Sequence, residues 1–425
     1  MSDTLKKIAD NLGVTTINGN YLSGIADYYG VDLATSTDLM ADILTEVGGN
    51  PATSTDYLQD IVLELGGTVT INGNWMEAWE AITATPPAVL FTTEWTTTAP
   101  SESITLPYTV ATGTYTGTID WGDGNTDVND GTITTHTYAT AGTYTVIIDG
   151  DCIGWDFNQS FSGGNITSVV NWGQLQLGPD NYGYNFAYCP LLDLSSVQGT
   201  LDLTGVTVLA GLFYECTSLT TINNINSWDT SAITNMAEMF SGCTAFNQAL
   251  SFDTSAVDSM NSMFFSCSVF NQALSFDTSS VLDMGQMFCN CTAFNQSLSF
   301  NTSAVELMNR MFRDATVFNQ NISSWNTGAV TDMEGMFRDA PAFNQNIGTW
   351  NVENVQSFYF FMSGKTPATF STTNLNAIYN GWSTQAVQSG LDITFGTAKY
   401  TSAATAGRLI LTGTALWTIT DGGQV

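Results

Sequence analysis

The side chains able to do chemistry are few, and their spacing says more than their number. The single histidine, His136, lies in the alternating stretch Thr135-His136-Thr137-Tyr138. One histidine disfavours a multi-histidine metal site or a histidine-dependent triad, and this one reads as structural. Seven cysteines include no Cys-x-x-Cys pair, so zinc is not indicated. Cys189, Cys216, Cys243, Cys267 and Cys291 recur at intervals of 27, 27, 24 and 24, and Ala315 and Ala340 continue the series. Neighbours in such a series could come within disulfide reach, but alternation with alanine favours a small, buried, free thiol. With 39 acids, a carboxylate pair for glycoside hydrolysis stays open on numbers alone. Asp229, Asp253 and Asp277 give way to Asn301, Asn326 and Asn351 at the same place, however, which reads as a structural ladder.

Two clusters keep alternative readings. One loop crowds Asp120, Asp123, Asn125, Asp127 and Asp130. Counted from Asp123, its sixth and twelfth positions are Val128 and Thr134, where an EF-hand needs Gly and Glu. The loop is either turn structure, which Asp and Asn favour, or a weak calcium site on Asp123 and Asp127. Arg310, Arg313 and Arg338 gather rare positive charge, and Asp314 and Asp339 directly follow the last two. They are either surface ion pairs or a small cationic contact for an anionic glycan or partner.

The elements that hold these residues follow from composition and period. The chain has 425 residues, enough for two to four domains. Hydrophobic residues make up 43% and charged residues only 11%, so cores form under an uncharged polar surface rich in Thr, Ser, Asn and Gly. The net charge of −31 disfavours nucleic acid and anionic membranes as partners. No apolar run suits a membrane span or follows Met1 as a secretory signal would, so an unexported, uninserted chain is expected. No cofactor is indicated.

Residues 1–84 carry Leu-Gly, Tyr-Gly, Val-Gly and Leu-Gly steps 17, 18 and 18 residues apart. Each Gly ends a helix-like stretch that starts at a capping residue such as Asn20 or Asn74. Short helices of this kind must pack together or on a partner. A docking module is expected there, with Tyr21, Leu22, Tyr57, Leu58, Trp75 and Trp79 as contact candidates. Residues 85–150 alternate as strands between Gly and Asn corners. Residues 151–362 repeat every 24 or so: Met-Phe at 239, 263, 287, 311 and 336, and Phe-Asn-Gln starting at 246, 270, 294, 318 and 343. Such a period implies a solenoid of about eight coils. Each coil is expected to supply one strand, such as Leu274-Ser275-Phe276. Its aromatic, aliphatic and Met positions form inward columns, and Asn247, Asn271, Asn295, Asn319 and Asn344 an amide ladder. Residues 363–425 then read as a cap, with helices over 374–382 and 403–411. The fold class is mainly β and multidomain.

Two resemblances sharpen this. Asp120-Trp121-Gly122-Asp123-Gly124, with His136-Thr137-Tyr138 and Gly142-Thr143-Tyr144-Thr145-Val146, resembles the polycystic-kidney-disease-type (PKD) domain. That resemblance implies an immunoglobulin-like β-sandwich used as a spacer or adhesion module. The repeat "FNQALSFDTSAVDSMNSMF" resembles the BspA-type leucine-rich repeat of bacterial surface proteins and mycoplasma lipoproteins. That resemblance implies adhesion or protein–protein contact and no catalysis. The helical segment resembles short modules of phage structural proteins. Together these lead to the expectation of a non-enzymatic tailed-phage virion surface protein: a tail or head fibre or receptor-contact protein. It would be made in the host cytoplasm, oligomeric, docked to other virion proteins through residues 1–84, and touching a host protein or glycan through the solenoid. A bacterial cell-surface adhesin is the alternative.

Overall fold

The computed structural model describes residues 90–109, 112–157, 161–178 and 183–425. The helical segment 1–84, and with it Tyr21, Leu22, Tyr57, Leu58, Trp75 and Trp79, lies outside the described residues. Those from Leu90 onward belong to one compact unit. It is mainly β with few helices. No helix among the described residues is long and apolar enough to cross a membrane.

The unit begins with β1 (Phe91–Thr97), β2 (Glu102–Thr105), β3 (Thr114–Tyr115), β4 (Thr118–Asp120), β5 (Thr126–Val128), β6 (Thr135–Tyr138), β7 (Gly142–Asp149), β8 (Cys152–Ile153), β9 (Ile166–Asn171) and β10 (Leu175–Gln176). In β1 strict alternation buries Phe91, Thr93, Trp95 and Thr97 on one face, the period-2 pattern of a one-sided strand. The main sheet runs β5-β4-β7-β1-β9. A second, β2–β6 pair buries Ile104 and Tyr138 in the same core as Phe91, Trp95, Ile119, Val146 and Ile148.

The boundary expected at 150 falls inside hydrogen-bonded structure. β9, beyond that point, is antiparallel to β1 within the main sheet. On its other side Ser168 and Asn171 form parallel bridges to Asp193 and Gln198, where the repeats begin. One strand thus closes the N-terminal sheet and starts the stack of coils.

From there parallel bridges link each repeat to the next: Asn235 to Ser259, Ser259 to Asp283, Asp283 to Leu307, Leu307 to Asp332 and Asp332 to Ser357. The strand expected at Leu274-Ser275-Phe276 is not formed, and the pairing lies elsewhere in the coil. At that place Phe252 and Phe276 stack at 6.4 Å and Phe300 and Trp325 at 6.5 Å, wider than the roughly 4.8 Å of paired strands. The backbone bridges instead at Asn235, Ser259, Asp283, Leu307, Asp332 and Ser357.

Two further columns fill the interior. Phe240, Phe264, Phe288, Phe312 and Phe337 stack at 5.7–5.8 Å. Phe246, Phe270, Phe294, Phe318 and Phe343 stack beside them at 6.0–6.2 Å. The two rows also touch within each coil, at 4.3 Å for Phe264 and Phe270. The stack ends on α1 (Thr372–Trp382), β11 (Asp392–Thr394), α2 (Thr405–Gly413) and β12 (Thr418–Thr420). Strands β11 and β12 pair in parallel, and Ile393 bridges Phe358 of the last coil, continuing the ladder.

Candidate binding surface

The repeat uses up its polar side chains internally. The Asn295 backbone N–H donates to the Asn271 side-chain oxygen at 3.0 Å, and Gln296 Nε2 donates to the same oxygen at 3.1 Å. The motif recurs at Asn271, Asn319 and Asn344. At the cap, Ser371 N–H and Asn374 Nδ2 replace the next Asn and Gln, both donating to Asn344 Oδ1. Buried Thr254, Thr278, Thr302 and Thr327 each donate a hydroxyl to a carbonyl of the following coil. Asp229, Asp253 and Asp277 each accept from the backbone N–H of the serine two residues on. Those bonds hold the three carboxyls below the usual range.

The cysteines follow the same rule. Cys243, Cys267 and Cys291 are free, buried thiols that donate to the carbonyls of Phe213, Phe240 and Phe264. Burial pushes these thiols up, away from the nucleophilic thiolate. One position in this column was not legible in the sequence. Lys365 continues the series from Ala340, and its ammonium is buried, donating to the carbonyls of Ala340 and of Phe343, the latter at 2.6 Å. Burial pulls its pKa down to about 7.

What remains is the part of each coil that varies. Two positions per coil take the left-handed backbone. One runs Tyr184, Gly211, Glu238, Ser262, Gln286, Arg310, Gly335, Phe360, and the other Tyr188, Glu215, Gly242, Ser266, Asn290, Asp314, Asp339, Gly364. In the coils before the last the twist aims the N–H at the next coil: Ser262 N–H donates to Gly285 O and Ser266 N–H to Cys289 O, both at 2.8 Å. Left-handed backbone costs an L residue roughly 1–2 kcal/mol, and these bonds offset it. A Cβ added at Gly335 would meet nothing nearer than the Arg310 side chain at 3.4 Å, whereas one at Gly211 or Gly242 would press on the Tyr184 or Glu215 side chain of the preceding coil. Backbone geometry is thus kept while side-chain identity changes from coil to coil, and the columns form a ridge of unlike residues.

The three arginines lie on or beside this ridge, and each has an acidic partner. Arg313 contacts Asp314 at 3.1 Å and Arg338 contacts Asp339 at 3.3 Å. Arg310 reaches Glu334 of the next coil, a partner that sequence neighbours do not reveal. The Arg338 guanidinium also lies over the Phe360 ring at 5.0 Å. In the loop weighed for calcium, Asp123 accepts from Asn125 N–H and contacts His136 Nε2 at 2.8 Å, and Asp127 accepts from Trp121 Nε1. Both carboxylates thus make local bonds. Among the described residues no three His, Cys, Asp or Glu side chains gather as a metal site.

The ridge ends in a feature that sequence reasoning missed. The pattern Met333-Glu334-Gly335-Met336-Phe337 becomes Phe358-Tyr359-Phe360-Phe361-Met362 in the last coil. Phe358 and Phe361 fill the interior, while Tyr359 and Phe360 are 52% and 37% exposed. They face Ser363, Asp392, Thr394, Thr418 and Thr420 across a cleft of about 370 Å³. The break in pattern was the available signal.

The fold and surface thus define a mainly β protein of stacked repeats with a constant interior and a variable ridge. The family model described as a Mycoplasma protein of unknown function, DUF285, matches residues 186–299, 274–374 and 298–403, together just over half of the chain, and the chain belongs to that family. No curated protein matches the chain. No solved structure matches it either.

Proposed function

We propose that this is a non-enzymatic surface protein whose repeats form a BspA-type leucine-rich-repeat solenoid, capped by residues 363–425 and preceded by a PKD-like sandwich. The reading extends to a tailed-phage virion, as a tail or head fibre or receptor-contact protein. Residues 1–84 dock it to other virion proteins, and the solenoid touches a host protein or glycan. The observation that carries it is the contrast within each coil: the Asn, Thr and Phe columns repeat with little change, while the left-handed ridge carries a different residue at nearly every coil. A surface that spends constancy on the fold and variation on the outside suits recognition. The repeat carboxylates fit it too, since Asp229, Asp253 and Asp277 serve turns. Weak contacts along such a ridge add up when several copies are presented together.

The test is adsorption of the labelled full-length chain to candidate bacterial hosts, with phage as competitor. Saturable binding that blocks phage adsorption is expected. Absence of binding by a folded chain across the phage's host range overturns receptor contact. Binding without competition, together with anchoring of the chain on bacterial cells, moves the protein to the second reading, a bacterial cell-surface adhesin. The family model, described from Mycoplasma proteins, favours that second reading.

A further inference from the structure

We propose that the cleft between the last coil and the cap is a subsite for one neutral pyranose ring. This deepens the surface-contact reading above and rests on it. Three observations converge on the same residues.

The first is a backbone outlier. Phe360 occupies the left-handed position at φ 56°, which the other coils fill with Tyr184, Gly211, Glu238, Ser262, Gln286, Arg310 and Gly335, so an aromatic stands there only in the first and last of these coils. A bulky aromatic there is a rare and strained choice, of the kind that clusters at ligand sites. The interior does not require it, because Phe358 and Phe361 fill that role and are buried. The second is the pair of exposed rings. Tyr359 and Phe360 lie with centroids 4.1 Å apart. Each aromatic face carries partial negative charge, so it attracts the slightly positive C–H groups on one face of a sugar ring.

The third is unspent polarity opposite those rings. The side chains of Asp392, Thr418 and Thr420 are exposed and make no hydrogen bond to protein among the described residues. The Thr394 hydroxyl accepts from Gly396 N–H, leaving its own O–H to donate. A carboxylate accepts two neighbouring hydroxyl protons, and threonine hydroxyls both donate and accept. An apolar platform facing acceptors and hydroxyls matches a sugar's apolar face and hydroxyl rim. The volume of about 370 Å³ falls at the small end of ligand clefts. Asp392 in the cleft and a net charge of −31 disfavour anionic sugars, and the Arg338 guanidinium over the Phe360 ring is already paired with Asp339.

The test is saturation-transfer NMR on the full-length chain, with methyl glycosides of glucose, galactose, mannose and N-acetylglucosamine as probes and N-acetylneuraminic acid as the anionic control. At least one neutral glycoside is expected to receive saturation, and the anionic sugar none. Asp392→Asn and Tyr359→Ala should each weaken the binding at least tenfold with melting temperature unchanged. Phe360→Gly should abolish it while leaving the melting temperature equal or higher, since glycine relieves the left-handed strain. Transfer to none of the neutral sugars, transfer undiminished in all three variants, or preference for the anionic sugar each overturns the subsite. Cell adsorption separates the two readings. Variants that lose sugar but still adsorb leave the surface role standing on the rest of the ridge. A chain that binds sugar but adsorbs to no host keeps the cleft and removes the surface role.

Discussion

The Asn ladder and the left-handed ridge run along the same coils with the same period, yet they obey opposite rules. In the ladder each Asn oxygen serves the next coil, so every member must be the same residue. On the ridge the backbone N–H serves the next coil whichever residue stands there, and side-chain bonds such as Arg310 to Glu334 or Asn290 to Ser266 are occasional. The comparison teaches where a repeat protein stores stability and where it has freedom: invariance follows side-chain bonds between coils, and variation follows backbone bonds.

The largest break in that comparison is in the aromatic interior. Phe288→Ala removes a ring stacked on two neighbours and on Phe294. A loss of about 3–5 kcal/mol is expected in chemical denaturation. Next comes the one charged member of an interior column. The Lys365 pKa is depressed to about 7, so between there and its ordinary 10.5 the unfolded chain holds a proton that the folded chain has released. Stability should therefore rise with pH across that window, by up to a few kcal/mol, and Lys365→Met should flatten the rise in melting curves. A flat wild-type profile would show that the ammonium stays charged.

The ladder itself is tested by a pair of changes. Asn295→Ala strips the acceptor from Asn319 N–H and Gln320 Nε2 and should cost about 1–3 kcal/mol. Asn295→Asp keeps that acceptor and should cost visibly less at neutral pH. Equal losses would mean that the amide oxygen is not what the ladder uses. The smallest effect belongs to the ridge. Gln286→Gly relieves a left-handed residue at φ 57° and should stabilise by up to about 1 kcal/mol, net of glycine's extra chain entropy. Destabilisation there would show that ridge side chains also hold the fold.

Much of the interior was legible because side-chain columns imprint themselves on sequence. The Phe, Met, Asn and Cys series were visible as a period, and the cap helices expected over 374–382 and 403–411 form as Thr372–Trp382 and Thr405–Gly413. Pairing between coils was not legible. Backbone bonds carry no residue signature, so the ladder was expected at Leu274-Phe276 and lies instead at Ser259 and Asp283. The ridge was half visible: Arg310, Arg313 and Arg338 stood out by charge. Glu334, the unforeseen partner of Arg310, is close only because the coils stack. Tyr359 and Phe360 were hidden by looking like one more hydrophobic run.

The cap's imitation of the repeat has a consequence for how the molecule changes over generations. Ser371 and Asn374 close the ladder on Asn344 with the bonds that an Asn and a Gln make elsewhere. Any coil ending in Phe-Asn-Gln presents the same socket. Length is therefore a whole-number variable: a unit of 24 or so residues gained or lost by unequal recombination leaves both ends sealed, and the protein changes its reach without redesigning its fold.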